Sequence, residues 1–205
     1  MIALDFISSC YGPGSKRKVI QMIKYKHLIK YKHRDLAVTE ADKLTADYSS
    51  PPVPVREIAE MNGVNVVFAK FGQFNDVMAG FCDFSAHKLY VNADDALPRQ
   101  SLTIAHELGH WLLHSEYFVA NPDKYQVLPR FETPDNSDTN EKEANKFAAH
   151  LLVPTRLLLP VREAHVSTLA RVFMVSLVMM EFRIKNVCSK KSQGLFFFGG
   201  CASHS

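Results

Sequence analysis

The amino-acid sequence predicts an α+β fold, with a small antiparallel sheet packed on one long helix and further helices at the C-terminal end. Three short segments rich in β-branched and aromatic residues follow one another between residues 64 and 92. Two segments with the apolar period of a helix come next, "TIAHELGHWLLH" and "NEKEANKFAAHLLV". The 47% apolar and 22% charged shares are those of a globular protein with a sizeable core.

The elements before the first long helix are set by local signals. "VPVREIAEMNG" predicts a short helix that ends at Asn62-Gly63, a C-cap signal. "VNVVFAKF", "MAGFCDF" and "HKLYVN" predict strands, and the turn residues between them indicate consecutive antiparallel pairing. The strand within "KLYVNA" is expected to offer an edge to an extended peptide.

The helical elements follow from "DDALPRQ", which opens a helix with Pro98 in its first turn. Residues 115–139 are predicted to form a loop longer than compact domains usually contain, and we interpret it as a gate. The second helix stops at Pro154. "VSTLARVFMVSLVMMEFRI" predicts one helix or a pair of short helices.

The charge is distributed unevenly along the chain. Residues 1–34 carry eight Lys or Arg and one Asp, so a net charge of +3 conceals a basic arm of about +7. Since no aromatic or base-reading pattern accompanies this charge, a solvated extension is favoured over nucleic-acid contact through residues 16–34. The sequence therefore predicts a basic extension at 1–50, helical or partly disordered, a domain at 51–185 and a tail at 186–205.

The expected compartment is the cytoplasm. The start "MIALDFISSC" is a poor secretory signal, and the longest apolar run, Val172–Met180, is about half of what a membrane span requires. The four cysteines are widely spread and show no paired spacing, which favours reduced thiols. We expect no membrane partner, and the oligomeric state is left open.

The motif His106-Glu107-x-x-His110 carries the chemistry. Residues four apart lie about 40° from each other on a helix, so the two imidazoles can share a metal ion. Glu107, about 100° away, suits a residue that holds a water beside the metal. The alternative is a packing stripe that the histidines merely cap. Gly109, which costs about 1 kcal/mol of helix propensity, needs a packing or access reason.

The second helix offers the missing carboxylate. Glu141 and Glu143 flank its apolar face on opposite sides, and either could reach the metal. Asn145 lies on the side of Glu141, so that pair can supply one ligand and one hydrogen bond to a ligating histidine. We favour Glu141 as the third ligand, with Glu143 as the alternative. His150 is expected on the surface of this helix.

The two motifs, "TIAHELGHWLLH" and "EKEANKFAAHLLVP", resemble those of the ImmA/IrrE family of zinc-dependent metallopeptidases. The resemblance spans about residues 51–185, and it is looser over "LARVFMVSLVMMEFRI" near the C-terminal end. It implies a gluzincin-like zincin fold, His106, His110 and Glu141 as zinc ligands, and Glu107 as catalytic base. It also implies a protein substrate, typically a helix-turn-helix repressor of a phage, mobile element or stress regulon. The basic arm and the Phe-rich tail have no counterpart in this pattern.

If zinc, or another divalent metal such as Mn²⁺, is bound, the reaction is hydrolysis of a peptide bond. A donor for the oxyanion is needed besides the metal, and four side chains are candidates: His114, Tyr90, Tyr117 and Tyr125. Two other functions stay open. One is a non-catalytic metal-binding partner or toxin–antitoxin component that holds such a regulator. The other is a DNA-binding regulator led by the basic arm.

Overall fold

A computed structural model describes residues 36–124, 128–129 and 138–192. The chain divides into two compact units, Met1–Leu36 and Ala37–Ser205. The basic arm at 1–34, residues 125–127 (with Tyr125) and 130–137 of the predicted gate, and the tail from residue 193 onward lie outside the described residues. The domain boundaries drawn from the sequence stay a prediction.

Helices and strands occur in a mixed order along the chain, which confirms the predicted α+β fold. Residues 36–44 are helical and are called α1. In chain order there follow α2 (Val55–Met61), β1 (Asn65–Ala69), β2 (Met78–Asp83), β3 (Lys88–Asn92), α3 (Leu97–Ala120), β4 (Leu128–Pro129), α4 (Thr139–Leu152), α5 (Thr155–Leu158), α6 (Val166–Phe173) and α7 (Leu177–Ser192). None of the described helices is both long enough and apolar enough to cross a membrane.

The sheet has the strand order β1-β3-β2-β4 and is mixed. β2 and β3 form the predicted antiparallel hairpin, whereas β1 pairs with β3 in parallel. The prediction of antiparallel pairing is therefore wrong for β1. The connection from β1 to β2 contains a 3-10 turn at Gly72–Phe74 in place of a tight hairpin, and it leads the chain to the far side of β3. Because β3 is internal, "KLYVNA" offers no edge to a peptide.

The sheet packs on α3 at a point where a glycine is required. A Cβ added to Gly80 of β2 would lie 2.5 Å from Cγ2 of Thr103, one turn before the first histidine of the motif. Leu89 and Val91 of β3 and Leu108 of α3 are buried in the same core. Ala37 and Ala41 of α1 also belong to that core. β2 and β3 are thus held directly against the helix that carries the motif.

The helix α3 is longer than the sequence indicated. It continues to Ala120, so the beginning of the predicted loop 115–139 is helical. Phe118 explains the extension, since its ring is buried within the domain and lies 5.3 Å from the His110 ring. Beyond α3, the short strand β4 pairs with β2.

The C-terminal helices meet at the end of α4. That helix begins at the predicted place, where Asp138 accepts a hydrogen bond from Asn140 N–H, and it ends before Pro154. The segment that follows forms two separate helices, α6 and α7, which break at Met174 with a left-handed φ of 54°.

Arg183 of α7 is 1% exposed and caps the C-terminus of α4. Its Nη2 and Nε donate to the Val153 carbonyl at 2.8 and 3.1 Å, and its Nη1 lies 3.0 Å from His150 Nε2. His150 is consequently 6% exposed, and its predicted surface position is wrong. The sequence period of α4 alone does not show that α7 covers this side of the helix.

Candidate metal centre

The two histidines of the motif direct the same ring atom to one point. His106 and His110 lie on successive turns of α3, and both are almost fully buried. Their Nε2 atoms are 3.0 Å apart. The helix period therefore places the pair as the sequence predicted, with the Nε2 edges facing each other and the Nδ1 edges turned outward.

Glu141 of α4 brings a carboxylate to this point. Its Oε2 lies 3.3 Å from His106 Nε2, and its Oε1 lies 3.1 Å from His110 Nε2. The side chain is 17% exposed, so the group opens to solvent on the carboxylate side. Within the described part of the chain, His106, His110 and Glu141 form the cluster of three residues that could hold a metal ion.

The small residues of α4 allow this approach. Ala144, Phe147 and Ala148 are buried on one face of α4, and Ala144 and Phe147 lie against Gly109 of α3. Glu141 precedes Ala144 by three residues and so lies one turn earlier on the same side of the helix. The close contact at the alanines thus sets how near the carboxylate comes to the imidazoles.

The donor set fits a divalent cation. Ligand atoms about 2.0–2.1 Å from a tetrahedral zinc are themselves about 3.3 Å apart, which the observed separations approach. Two neutral imidazole Nε2 lone pairs and a carboxylate repel one another at such distances unless positive charge lies among them. Two nitrogens and one carboxylate are also the ligands of catalytic zinc sites, which keep a fourth position for water.

Burial and the contacts within the cluster shift the pKa values of its three members in different directions. Burial by itself lowers the pKa of His106, but the hydrogen bond with Glu141 and the charges of Glu107 and Glu141 outweigh it, and the net pKa is raised. Burial dominates at His110 and lowers its pKa to about 4. Burial would raise the pKa of Glu141, yet the bonds with both histidines hold that pKa well below its usual range. A carboxylate that stays charged beside a neutral imidazole suits a metal ion.

Each histidine has a partner on its outer ring nitrogen. His106 Nδ1 lies 3.0 Å from Asn145 Oδ1, on the same helix as Glu141. His110 Nδ1 lies 3.1 Å from His114 Nδ1, and His114 Nε2 lies 3.2 Å from Glu143 Oε2. Asn145 Oδ1 is thus the group that faces the outer ring nitrogen of His106. Glu143, which the sequence kept as an alternative ligand, lies against His114 and apart from the cluster of three.

Glu107 is positioned next to the cluster and outside its donor set. Its side chain is buried on α3, 1% exposed, one residue after His106. The charge of Glu107 is felt by Cys82 of β2, whose thiol pKa is raised first by burial and then by this carboxylate. The same carboxylate also raises the pKa of His106, so its charge acts on the metal cluster as well as on β2. The sequence predicts no role for Cys82, because a lone cysteine in a strand carries no spacing signal.

The candidate oxyanion donors are distributed differently. His114 is buried behind His110, with both ring nitrogens engaged. Tyr90 stacks on Phe81, with ring centroids 4.8 Å apart. Tyr117 is 44% exposed near the end of α3. Tyr125 lies outside the described residues.

The chain is similar to a known protein family over more than half of its length. The Peptidase M78 family model, described as the IrrE N-terminal-like domain, matches residues 59–185, more than half of the chain. No curated protein matches. The solved structures that match include a Mycobacterium tuberculosis transcriptional regulator, with 16% identity and a TM-score of 0.49 over 73% of this chain and 49% of that one. This chain spans about half the length of that regulator.

Proposed function

The chain belongs to the M78 peptidase family and contains its metallopeptidase-like domain, and on that premise we propose that it is a zinc-dependent endopeptidase. The observation that carries the proposal is the convergence of His106 Nε2, His110 Nε2 and the Glu141 carboxylate within 4.8 Å of one another. These three residues would hold the ion. A buried glutamate beside them is what distinguishes a hydrolytic site from a structural one.

The chemistry that zinc supplies when bound is Lewis acidity, which lowers the pKa of a water toward about 7 and polarises the scissile carbonyl. Mn²⁺ would fill the same donor set with weaker preference for nitrogen. Asn145 orients His106 by accepting from its Nδ1–H, so that the lone pair of Nε2 faces the ion.

Glu107 performs the proton transfers. It takes a proton from the attacking water while the water oxygen bonds to the carbonyl carbon, and it then delivers that proton to the amide nitrogen as the C–N bond breaks. Its side chain is buried, 1% exposed, which keeps the transferred proton away from bulk water.

The proposed substrate is a helix-turn-helix repressor of a phage, mobile element or stress regulon. Support for this class comes from the two motifs, which resemble those of the ImmA/IrrE peptidases. The site itself adds a condition: Glu141 is the exposed member of the cluster, so a substrate segment must approach from its side. Cleavage of such a repressor in the cytoplasm would release transcription.

The test is incubation of the purified chain with a candidate helix-turn-helix repressor and analysis for a cleavage fragment. We expect a defined fragment with the wild-type chain and zinc, and none after chelation. Glu107→Gln should retain stoichiometric zinc and lose cleavage by a factor of about 10³ or more, because the ligands remain and the base is gone. His110→Ala should lose both zinc and cleavage.

Three results would count against the proposal. Stoichiometric zinc in His110→Ala would remove His110 from the ligand set. A fragment that survives both chelation and Glu107→Gln would come from a contaminating protease. A wild-type chain that binds zinc and the repressor without cutting it would support the alternative of a non-catalytic metal-binding partner or toxin–antitoxin component.

A further inference from the structure

A buried chain of side chains continues from the metal centre to the second acidic residue of α4. His110 Nδ1 lies 3.1 Å from His114 Nδ1, and His114 Nε2 lies 3.2 Å from Glu143 Oε2. We propose that Glu143 is a positioning residue that sets the tautomer of His110 through His114. The inference rests on the proposed metal centre, and it assigns a task to two residues that do not touch the ion.

The first step starts at the carboxylate. An ionised carboxylate only accepts hydrogen bonds, so the Nε2 atom of His114 that faces Glu143 must carry the proton. A neutral imidazole has one N–H. The Nδ1 atom of His114 is therefore an acceptor, and it is directed at His110.

The tautomer of His114 in turn determines the tautomer of the ligand His110. Because His114 Nδ1 accepts, His110 Nδ1 must donate, and the only N–H of His110 is placed on its outer edge. Its Nε2 then presents a bare lone pair to His106 Nε2 and to the Glu141 carboxylate. Glu143 thus selects the tautomer that a metal requires, although His114 lies between it and the ligand His110.

His106, the other ligand, is oriented by a single hydrogen bond, which also places its N–H on Nδ1. His106 Nδ1 donates to the amide oxygen of Asn145, 3.0 Å away. Both histidines therefore keep Nδ1–H outward and Nε2 bare, one through an amide and the other through an imidazole–carboxylate pair. Glu141, Glu143 and Asn145 all come from the first turns of α4, so this one helix supplies a ligand and both orienting groups.

Burial distinguishes this arrangement from ordinary helix packing. His114 is 5% exposed and Glu143 is 9% exposed. Apolar side chains would fill the same space without the cost of desolvating a carboxylate. A role in orienting His110 gives a reason for a charged group at this position, and it also explains why the histidines of α3 continue one turn beyond the motif.

The test measures metal affinity and does not depend on peptidase activity. Zinc is titrated into the full chain against a chromophoric chelator, with folding checked by circular dichroism. Glu143→Ala should weaken zinc binding by roughly 10- to 100-fold. Glu143→Gln should stay within about threefold of wild type, because its amide oxygen still accepts from His114 Nε2–H. Glu116→Ala, which removes an exposed carboxylate of α3, is the matched control and should change nothing.

A second pair of variants tests the relay itself. His114→Asn places an amide oxygen near the former Nδ1 position and makes His110 independent of Glu143, as Asn145 does for His106. In that background Glu143→Ala should cause no further loss of zinc affinity. An equal loss in both backgrounds would overturn the proposal, and so would Glu143→Gln behaving like Glu143→Ala, since the charge would then be the cause.

The tautomers can also be observed directly. Long-range ¹H–¹⁵N correlation spectra of the metal-free full chain should show His110 protonated on Nδ1 and His114 on Nε2. Glu143→Ala should give a mixture at His110. The opposite tautomer at either residue in the wild-type chain overturns the inference. If the chain binds zinc as expected but cuts no repressor, the proposed function fails while this inference remains intact.

Discussion

Gly109 of α3 lies directly against Ala144 of α4. A Cβ added at Gly109 would be 3.2 Å from Ala144 Cα and 3.1 Å from Phe147 Cδ1. The cost in helix propensity that the sequence showed at this position therefore has a packing reason. Gly109 immediately precedes His110, and Ala144 follows Glu141 by one turn. The same contact therefore sets the distance between His110 and Glu141.

The first prediction concerns this contact. Gly109→Ala gains about 1 kcal/mol of helix propensity, but its methyl group meets backbone that cannot rotate away. We expect the free energy of unfolding to change by less than about 1 kcal/mol while zinc affinity falls about tenfold, because α4 is displaced by a few tenths of an ångström. Chemical denaturation and a zinc titration measure the two effects. Ser115→Ala, later on α3, is the control. Unchanged zinc affinity in Gly109→Ala would mean that the contact between Gly109 and Ala144 does not set the geometry of the metal centre.

The second prediction separates the two acidic residues. Glu141→Ala removes the carboxylate that contacts both imidazoles, so we expect zinc affinity to fall well beyond the 10- to 100-fold typical of an orienting residue such as Glu143. Lys142→Ala, between them, should leave affinity unchanged. The same titration run on all three variants gives the order, and a larger loss in Glu143→Ala than in Glu141→Ala would move the ligand to Glu143.

The third prediction concerns the orientation of His106. Asn145→Ala removes the acceptor for His106 Nδ1–H and should weaken zinc by roughly 10- to 100-fold. Asn145→Asp keeps an acceptor oxygen at nearly the same place. We expect it to bind zinc at least tenfold more tightly than Asn145→Ala. Equal affinities in the two variants would mean that Asn145 does not act through this hydrogen bond.

The fourth prediction tests the buried cap on α4. Arg183→Ala leaves the Val153 carbonyl without its two guanidinium donors and opens a cavity at the junction of α4 and α7. We expect a loss of about 3 kcal/mol in the free energy of unfolding, seen as a Tm lower by roughly 6–12 °C. Arg171→Ala, at an exposed position of α6, is the matched control and should shift Tm by little.

The fifth prediction concerns residues 1–34, whose charge of about +7 suggested the DNA-binding alternative. We expect their deletion to leave zinc affinity and cleavage unchanged, because the ligands lie on α3 and α4. Gel-shift assays at two salt concentrations, with the full and shortened chains, measure any contribution to DNA binding. A salt-sensitive shift that disappears on deletion would favour the alternative.

Much of the local structure was predictable. The end of α2 at Asn62-Gly63 follows from a glycine that adopts a φ of +82°, and the start of α4 follows from the capping side chain of Asp138. The order of the strands in the sheet was not predictable, since β1 pairs with β3 and not with β2, the next strand along the chain. Pairing depends on where a connection leads the chain, and the residues between β1 and β2 contain no signal for that path.

The sequence alone determined that His106 and His110 share a helix face with Glu107 beside them, because the period of an α-helix fixes the angle between neighbouring side chains. Only the tertiary structure decided which acidic flank of α4 meets them. Glu141 and Glu143 flank the apolar face of that helix on opposite sides, about 60° and about 100° from its centre, and the contact of Ala144 with Gly109 fixes which flank faces the imidazoles. It turns Glu141 toward the Nε2 edges and leaves Glu143 to His114.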